Sequence, residues 1–222
     1  MDSRRARYLD AMGVTRWVPR DQSSMKDAVA DLRTDELDWE DLRRAVTGCQ
    51  RCPLHESRTQ PVFGVGNPSA DWLIIGEAPG AEEDRLGEPF VGRAGKLLDE
   101  MLKALGESRE TAYIANVLKC RPPNNRDPSP EEAERCAPYL DRQIALIRPR
   151  VILAVGRIAA QRLLGSDAPL GRMRDQVFHY GPNRIPVVVT YHPAYLLRRP
   201  GEKGKSWRDL LLAARVVKGG VT

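Results

Sequence analysis

The stretch Trp72-Leu73-Ile74-Ile75-Gly76-Glu77-Ala78-Pro79-Gly80 decides the reading of the fold. It opens with an apolar run that does not alternate, then breaks on glycine, a carboxylate and proline. So short and continuous a run suits a strand buried on both faces, as in a parallel sheet; a strand with one wet face would alternate. Three more runs share the pattern: Ala112-Tyr113-Ile114-Ala115-Asn116-Val117, Arg150-Val151-Ile152-Leu153-Ala154-Val155-Gly156 and Pro186-Val187-Val188-Val189-Thr190-Tyr191. Amphipathic stretches separate them. Leu97, Leu98, Met101, Leu102 and Leu105, ended by Gly106, mark one helix. Pro130 to Ile147 marks a second, with Ser129 as N-cap and proline at the first helical position. Ile158 to Leu164 and Trp207 to Val217 mark the others. Strand, loop and helix recur, which predicts a three-layer α/β/α sandwich around a central four-stranded parallel sheet.

In such sheets ligands gather beyond the carboxyl ends of the strands, and three of these ends are chemically loaded. The first gives Gly76-Glu77-Ala78-Pro79-Gly80-Ala81-Glu82-Glu83-Asp84 and then Pro89-Phe90-Val91-Gly92-Arg93-Ala94-Gly95. The second gives Asn116-Val117-Leu118-Lys119-Cys120-Arg121-Pro122-Pro123-Asn124-Asn125-Arg126, and the fourth His192-Pro193-Ala194-Tyr195-Leu196-Leu197-Arg198-Arg199. The third, Gly156-Arg157, reads as a simple turn into its helix. A carboxylate, an aromatic ring, an amide and an imidazole converging from separate strand ends form a candidate site.

Composition narrows the class. With 41% hydrophobic and 29% charged residues over 222 positions, the chain can build one core and is not expected to be disordered. No apolar run reaches the roughly 20 residues of a membrane span, and the amino-terminal residues lack the apolar centre of a secretory signal, so a cytoplasmic protein is expected. The net charge of +5 is unevenly placed: Pro19 to Glu40 carries seven acidic against three basic residues, or −4. His192 to Lys218 carries seven basic against two acidic ones, or +5. Residues 1–40 read as an amino-terminal extension, partly an acidic arm, and 41–222 as the functional domain. The basic carboxy-terminal stretch would favour a polyanionic partner.

The four cysteines stand apart from disulfide chemistry in a reducing compartment. Cys49-Gln50-Arg51-Cys52 can place two thiolates on one centre, Cys120 follows after 67 residues and Cys136 after 15 more. Zinc sites usually offer a second close pair, and an iron–sulfur cubane accepts thiolates from separate elements. Spacing alone leaves both open.

Taken together, Gly-Glu-Ala-Pro-Gly (76–80), Pro-Phe-Val-Gly-Arg-Ala-Gly (89–95), Asn-Val-Leu-Lys-Cys-Arg-Pro-Pro (116–123) and His-Pro-Ala-Tyr-Leu-Leu-Arg (192–198) resemble the family four, iron–sulfur-containing branch of the uracil-DNA glycosylases. The resemblance covers about Leu42 to Val217. It implies a monofunctional enzyme that flips uracil from DNA and hydrolyses its N-glycosidic bond, leaving an abasic site for base-excision repair. It implies a [4Fe-4S] cluster on Cys49, Cys52, Cys120 and Cys136, with a structural task. By the same resemblance Phe90 stacks on uracil, Asn116 reads O4 and N3–H, and His192 donates to O2. Glu77 positions or activates water, Ala78 adds a backbone contact, and Glu83 walls the pocket beside C5, with Asp84 close enough to contest a role. Arg121, Arg126, Tyr195, Leu196, Leu197, Arg198 and Arg199 become candidate contacts to DNA, one leucine entering the gap left by the base. His55 and His179 are read as packing or surface residues. The partner is uracil-containing DNA, single- or double-stranded, and the chain is expected to be a monomer.

Rival classes leave distinct marks. A covalent uracil-trapping relative carries a basic, histidine-ended insertion after Phe-Val-Gly, which Gly92 to Leu98 lacks. A flavodoxin-like nucleotide binder would need a Gly-x-Gly-x-x-Gly loop after the first strand. A cluster- or zinc-bearing DNA-binding module would have no use for Glu77.

Overall fold

The structure, a computed structural model, describes residues 33–219. Six strands form one sheet in the order β1-β3-β2-β4-β6-β5: β1 Val65–Gly66, β2 Trp72–Gly76, β3 Tyr113–Asn116, β4 Val151–Val155, β5 Val177–Tyr180 and β6 Ile185–Thr190. The four apolar runs are the parallel centre, with Ile75 opposite Ala115 and Ala154, and Ala154 opposite Val189. The expected central four-stranded parallel sheet is present, and one further strand extends it at each margin into a mixed six-stranded sheet. β1 pairs with β3, and β5 with β6, both antiparallel. Neither edge strand has a continuous apolar run: β1 is two residues long, and β5 carries the exposed His179 among half-buried neighbours.

Side-chain alternation builds the layers. Leu73, Ile75, Tyr113, Ala115, Ile152, Ala154, Val187 and Val189 face one side, packed on Leu140, Ile144 and Leu163. Those helical residues belong to α5 (Pro130–Ile147) and α6 (Arg157–Leu164). Trp72, Ile74, Ile114, Leu153, Val155 and Val188 face the other side, against Leu98, Leu102, Leu210 and Ala213. Those come from α4 (Arg93–Lys103) and α9 (Lys203–Val217). Each fully buried aliphatic side chain contributes on the order of 1.5–3 kcal/mol. The shorter helices are α1 (Trp39–Thr47), α2 (Leu54–Ser57), α3 (Ala81–Leu86), α7 (Leu170–Met173) and α8 (Pro193–Arg198).

The caps follow the sequence. Ser129 Oγ accepts from Glu132 N at 3.2 Å while Glu132 returns a bond from Ser129 N at 2.9 Å, so α5 starts where its proline suggests. α4 and α9 each begin four residues before their first apolar markers, because polar first turns carry no periodic signal.

Residues 33–40, read from sequence as the end of the amino-terminal extension, fall within the compact unit that begins at Arg33. Thr34 and Leu37 are buried, Asp38 caps α1 by accepting from Asp41 N at 2.8 Å, and Arg142 Nε donates to Leu37 O at 2.6 Å. The apolar set Tyr8, Leu9, Met12, Val14, Trp17 and Val18, and the acidic residues before Arg33, lie outside the described residues. No described helix is long and apolar enough to cross a membrane.

Candidate active site

The carboxyl ends of β2, β3 and β6 open into one cleft of about 510 Å³. Glu77, Ala78, Glu83, Phe90, Asn116 and His192 all line it. Sequence separations of up to 115 positions thus collapse onto one sheet edge. Of the proposed DNA contacts, Arg126, Tyr195 and Arg198 line the same cleft.

Asn116, the last residue of β3, is 2% exposed, and its Oδ1 has no hydrogen-bond partner. An unpaired buried acceptor costs about 1–3 kcal/mol unless a ligand satisfies it. Gly76 on β2 is what makes room: a Cβ there would stand 2.4 Å from Asn116 Oδ1 and 2.5 Å from Phe90 Cζ.

Phe90 holds a left-handed backbone at φ 55°, uncommon for an aromatic residue. Arg109 keeps it there, donating to Pro89 O at 3.0 Å and to Phe90 O, with its own Nε paired to Asp99 at 2.7 Å. Glu83 braces the same loop from inside, its carboxylate accepting from Gly80 N at 3.1 Å, Val91 N at 3.0 Å and Gly92 N at 3.1 Å. Its oxygens thus organise backbone around the pocket. Asp84 is buried, does not line the cleft, and accepts from Thr59 N.

His192 caps α8, and its Nδ1 accepts from Ala194 N at 3.1 Å. That bond assigns the proton of a neutral ring to Nε2. Burial, with Arg198 adding to it against an opposing Glu83, pushes the imidazole down to about 4. The ring is therefore a neutral donor across the neutral range. It rests on Gly156, where a Cβ would come within 3.2 Å of His192 Cβ.

Glu77 moves the other way. Burial, then the negative charge of Asp127, raise its carboxyl to about 7, while Arg157 opposes them. Arg157 pairs with Asp127 at 2.8 Å. The third strand end, read from sequence as a plain turn, therefore supplies both the support under His192 and a cation facing the carboxylates. Asp127, Arg157, Gly156 and Arg109 were missed because each sits in a polar or turn-like stretch that carries no periodic signal.

The remaining expected contacts scatter. Leu196 is 1% exposed within the core, so as a surface contact it is corrected; Leu197, 39% exposed, is the leucine available outside. Tyr195 stacks on Tyr191 at 4.9 Å. Arg126 is engaged by Glu132 at 2.5 and 2.9 Å, and Arg121 Nε by Asn125 Oδ1 at 2.7 Å. Arg121 and Arg199 lie outside the cleft lining, while Arg199 is exposed.

Cys49, Cys52, Cys120 and Cys136 line one small cavity separate from the cleft, none in a disulfide. Arg58 donates to Cys120 Sγ at 2.9 Å and to Cys49 O at 2.9 Å, and Lys119 N donates to Cys136 Sγ at 3.3 Å. Donors aimed at sulfur suit thiolates, and a metal would have to displace the protons that burial holds on Cys136, pushed up to about 12. Among the described residues no set of three or more His, Cys, Asp or Glu converges closely enough for an ion. His55, read from sequence as a packing or surface residue, lines this cavity with its Nδ1 2.8 Å from Cys52 O, and His179 is exposed on β5.

The family model described as the uracil DNA glycosylase superfamily matches residues 63–213. The chain is 49% identical over 168 residues to the type-4 uracil-DNA glycosylase of Archaeoglobus fulgidus, an overlap of 72% of this chain and 84% of that one. It is 43% identical to the type-4 uracil-DNA glycosylase of Pyrobaculum aerophilum, over 79% of this chain and 93% of the relative. To that of Thermotoga maritima it is 45% identical, over 75% and 87%.

Proposed function

The chain belongs to the uracil DNA glycosylase superfamily, and on that premise we propose that it removes uracil from DNA by hydrolysing the N-glycosidic bond. The observation that carries the reading is the buried, unpartnered Asn116 Oδ1 in one cleft with Phe90 and His192. A flipped uracil lays its ring on Phe90 and gives its N3–H to Asn116 Oδ1, while Asn116 Nδ2 donates to O4. Cytosine presents the reverse pattern and would leave both groups unpaired.

As the bond between N1 and C1′ breaks, its electron pair leaves with the base and charge grows on O2. The neutral His192 Nε2–H donates there, an interaction of about 3 kcal/mol for one well-aimed donor. A water oxygen bonds C1′ and its proton passes to Glu77, which near neutrality is part ionised and so able to accept it. Ala78 adds a backbone contact beside it. Arg198, Arg199 and Leu197 meet the DNA backbone and the gap left by the base. Arg121 and Arg126 take part once freed from Asn125 and Glu132.

The donor set around Cys49, Cys52, Cys120 and Cys136 fits a [4Fe-4S] cluster. Bound there, the group would tie the segment between α1 and α2 to α5 and to the segment after β3. Such a cluster accepts thiolates from separate elements, as these four are. The reading takes a glycosylase body with a short extension before it, working in the cytoplasm as a monomer on single- or double-stranded DNA. Release of free uracil from a uracil-containing oligonucleotide, followed by alkaline cleavage at the abasic site, tests it.

A further inference from the structure

We propose that Lys119 is a positioning residue that links the four-cysteine site to the edge that reads the base; this rests on the uracil-reading role given to Asn116. Lys119 is 1% exposed. Its Nζ reaches back to donate to the main-chain O of Asn116 at 2.9 Å and to Gln143 Oε1 at 2.6 Å. Gln143 is fixed in turn, donating to Phe63 O at 2.9 Å. The amide N–H of the same lysine donates to Cys136 Sγ at 3.3 Å, and the residue borders the cysteine cavity.

One residue therefore grips the last carbonyl of β3 at one end and a candidate metal ligand at the other. Order at the cysteine site is thus carried, through Lys119, to the peptide that presents Asn116 to the cleft. A lysine that only filled space would not need its tip on this carbonyl.

The test uses the full-length protein with its metal bound. Lys119→Met should keep bound metal and affinity for uracil-free DNA. It should weaken free-uracil binding, read by equilibrium dialysis, about tenfold or more. Gln143→Leu, which removes the other acceptor and leaves the Asn116 bond, should lower the melting temperature comparably but shift uracil binding less than about threefold. Lys119→Gln, one bond shorter, should behave as Lys119→Met does and serves if that variant does not fold. Uracil affinity within about twofold of wild type in a folded Lys119 variant overturns the proposal. A wild-type protein that neither binds nor releases uracil overturns the underlying reading instead.

Discussion

The ring of Phe90 lies stacked on the imidazole of His192, centroids 5.5 Å apart and planes 27° from parallel. Two residues 102 positions apart thus form one wall, and each fixes the other's orientation before any substrate arrives. His192→Ala should lower single-turnover uracil release about 100-fold or more. Phe90→Leu should mainly weaken binding of the uracil-containing strand, by about 1–3 kcal/mol for a lost stack. A His192→Ala variant with wild-type turnover would remove the imidazole from the reaction.

Gly76→Ala tests whether the cleft depends on close approach. The added methyl would collide with both Asn116 Oδ1 and Phe90 Cζ. The reading side chain and the stacking ring would each have to move, and a 1 Å misplacement can cost about 100-fold. Uracil release should fall by about that much, with a cooperative melting transition retained. Unimpaired release would show that Asn116 and Phe90 need not sit so close.

Glu77 carries the pH dependence. Folding raises its carboxyl from the ordinary 4.5 to about 7, so between those values the folded chain holds more protons than the unfolded one. Stability from this group is therefore lost as pH rises through that window. Glu77→Gln should melt higher than wild type at about pH 8 and no higher at about pH 4. Uracil release by the wild type should fall on the acid side of about pH 7 as the base is protonated. His192, already neutral above about 4, adds no limb there. A flat activity profile between about pH 5 and 8 would contradict the role of Glu77.

The cysteine site should govern stability before chemistry. Cys136→Ser should lose bound metal and lower the melting temperature by several degrees or more, since metal-binding energy here is folding energy. A brown protein with broad absorption near about 400 nm supports an iron–sulfur cluster, and colourless protein with one bound zinc contradicts it.

The central sheet was legible because strands buried on both faces write continuous apolar runs, as Leu73 to Ile75 and Val151 to Val155 do. The strand ends were legible because Glu77, Asn116 and His192 follow those runs directly. What stayed hidden was support from residues whose role is purely spatial. Arg109 sits in a polar turn yet holds Phe90 in its left-handed backbone. Gly156 turns the chain and also seats His192. Leu196 and Leu197 are adjacent and alike, and only the turn of α8 separates a core residue from a surface one.

The most direct measurement of the central claim is to incubate the wild-type protein with single- and double-stranded oligonucleotides carrying one uracil, then cleave abasic sites with alkali. The account predicts multiple-turnover cleavage at the uracil position and none at cytosine or thymine. No cleavage above a protein-free blank, even at stoichiometric protein, would contradict it.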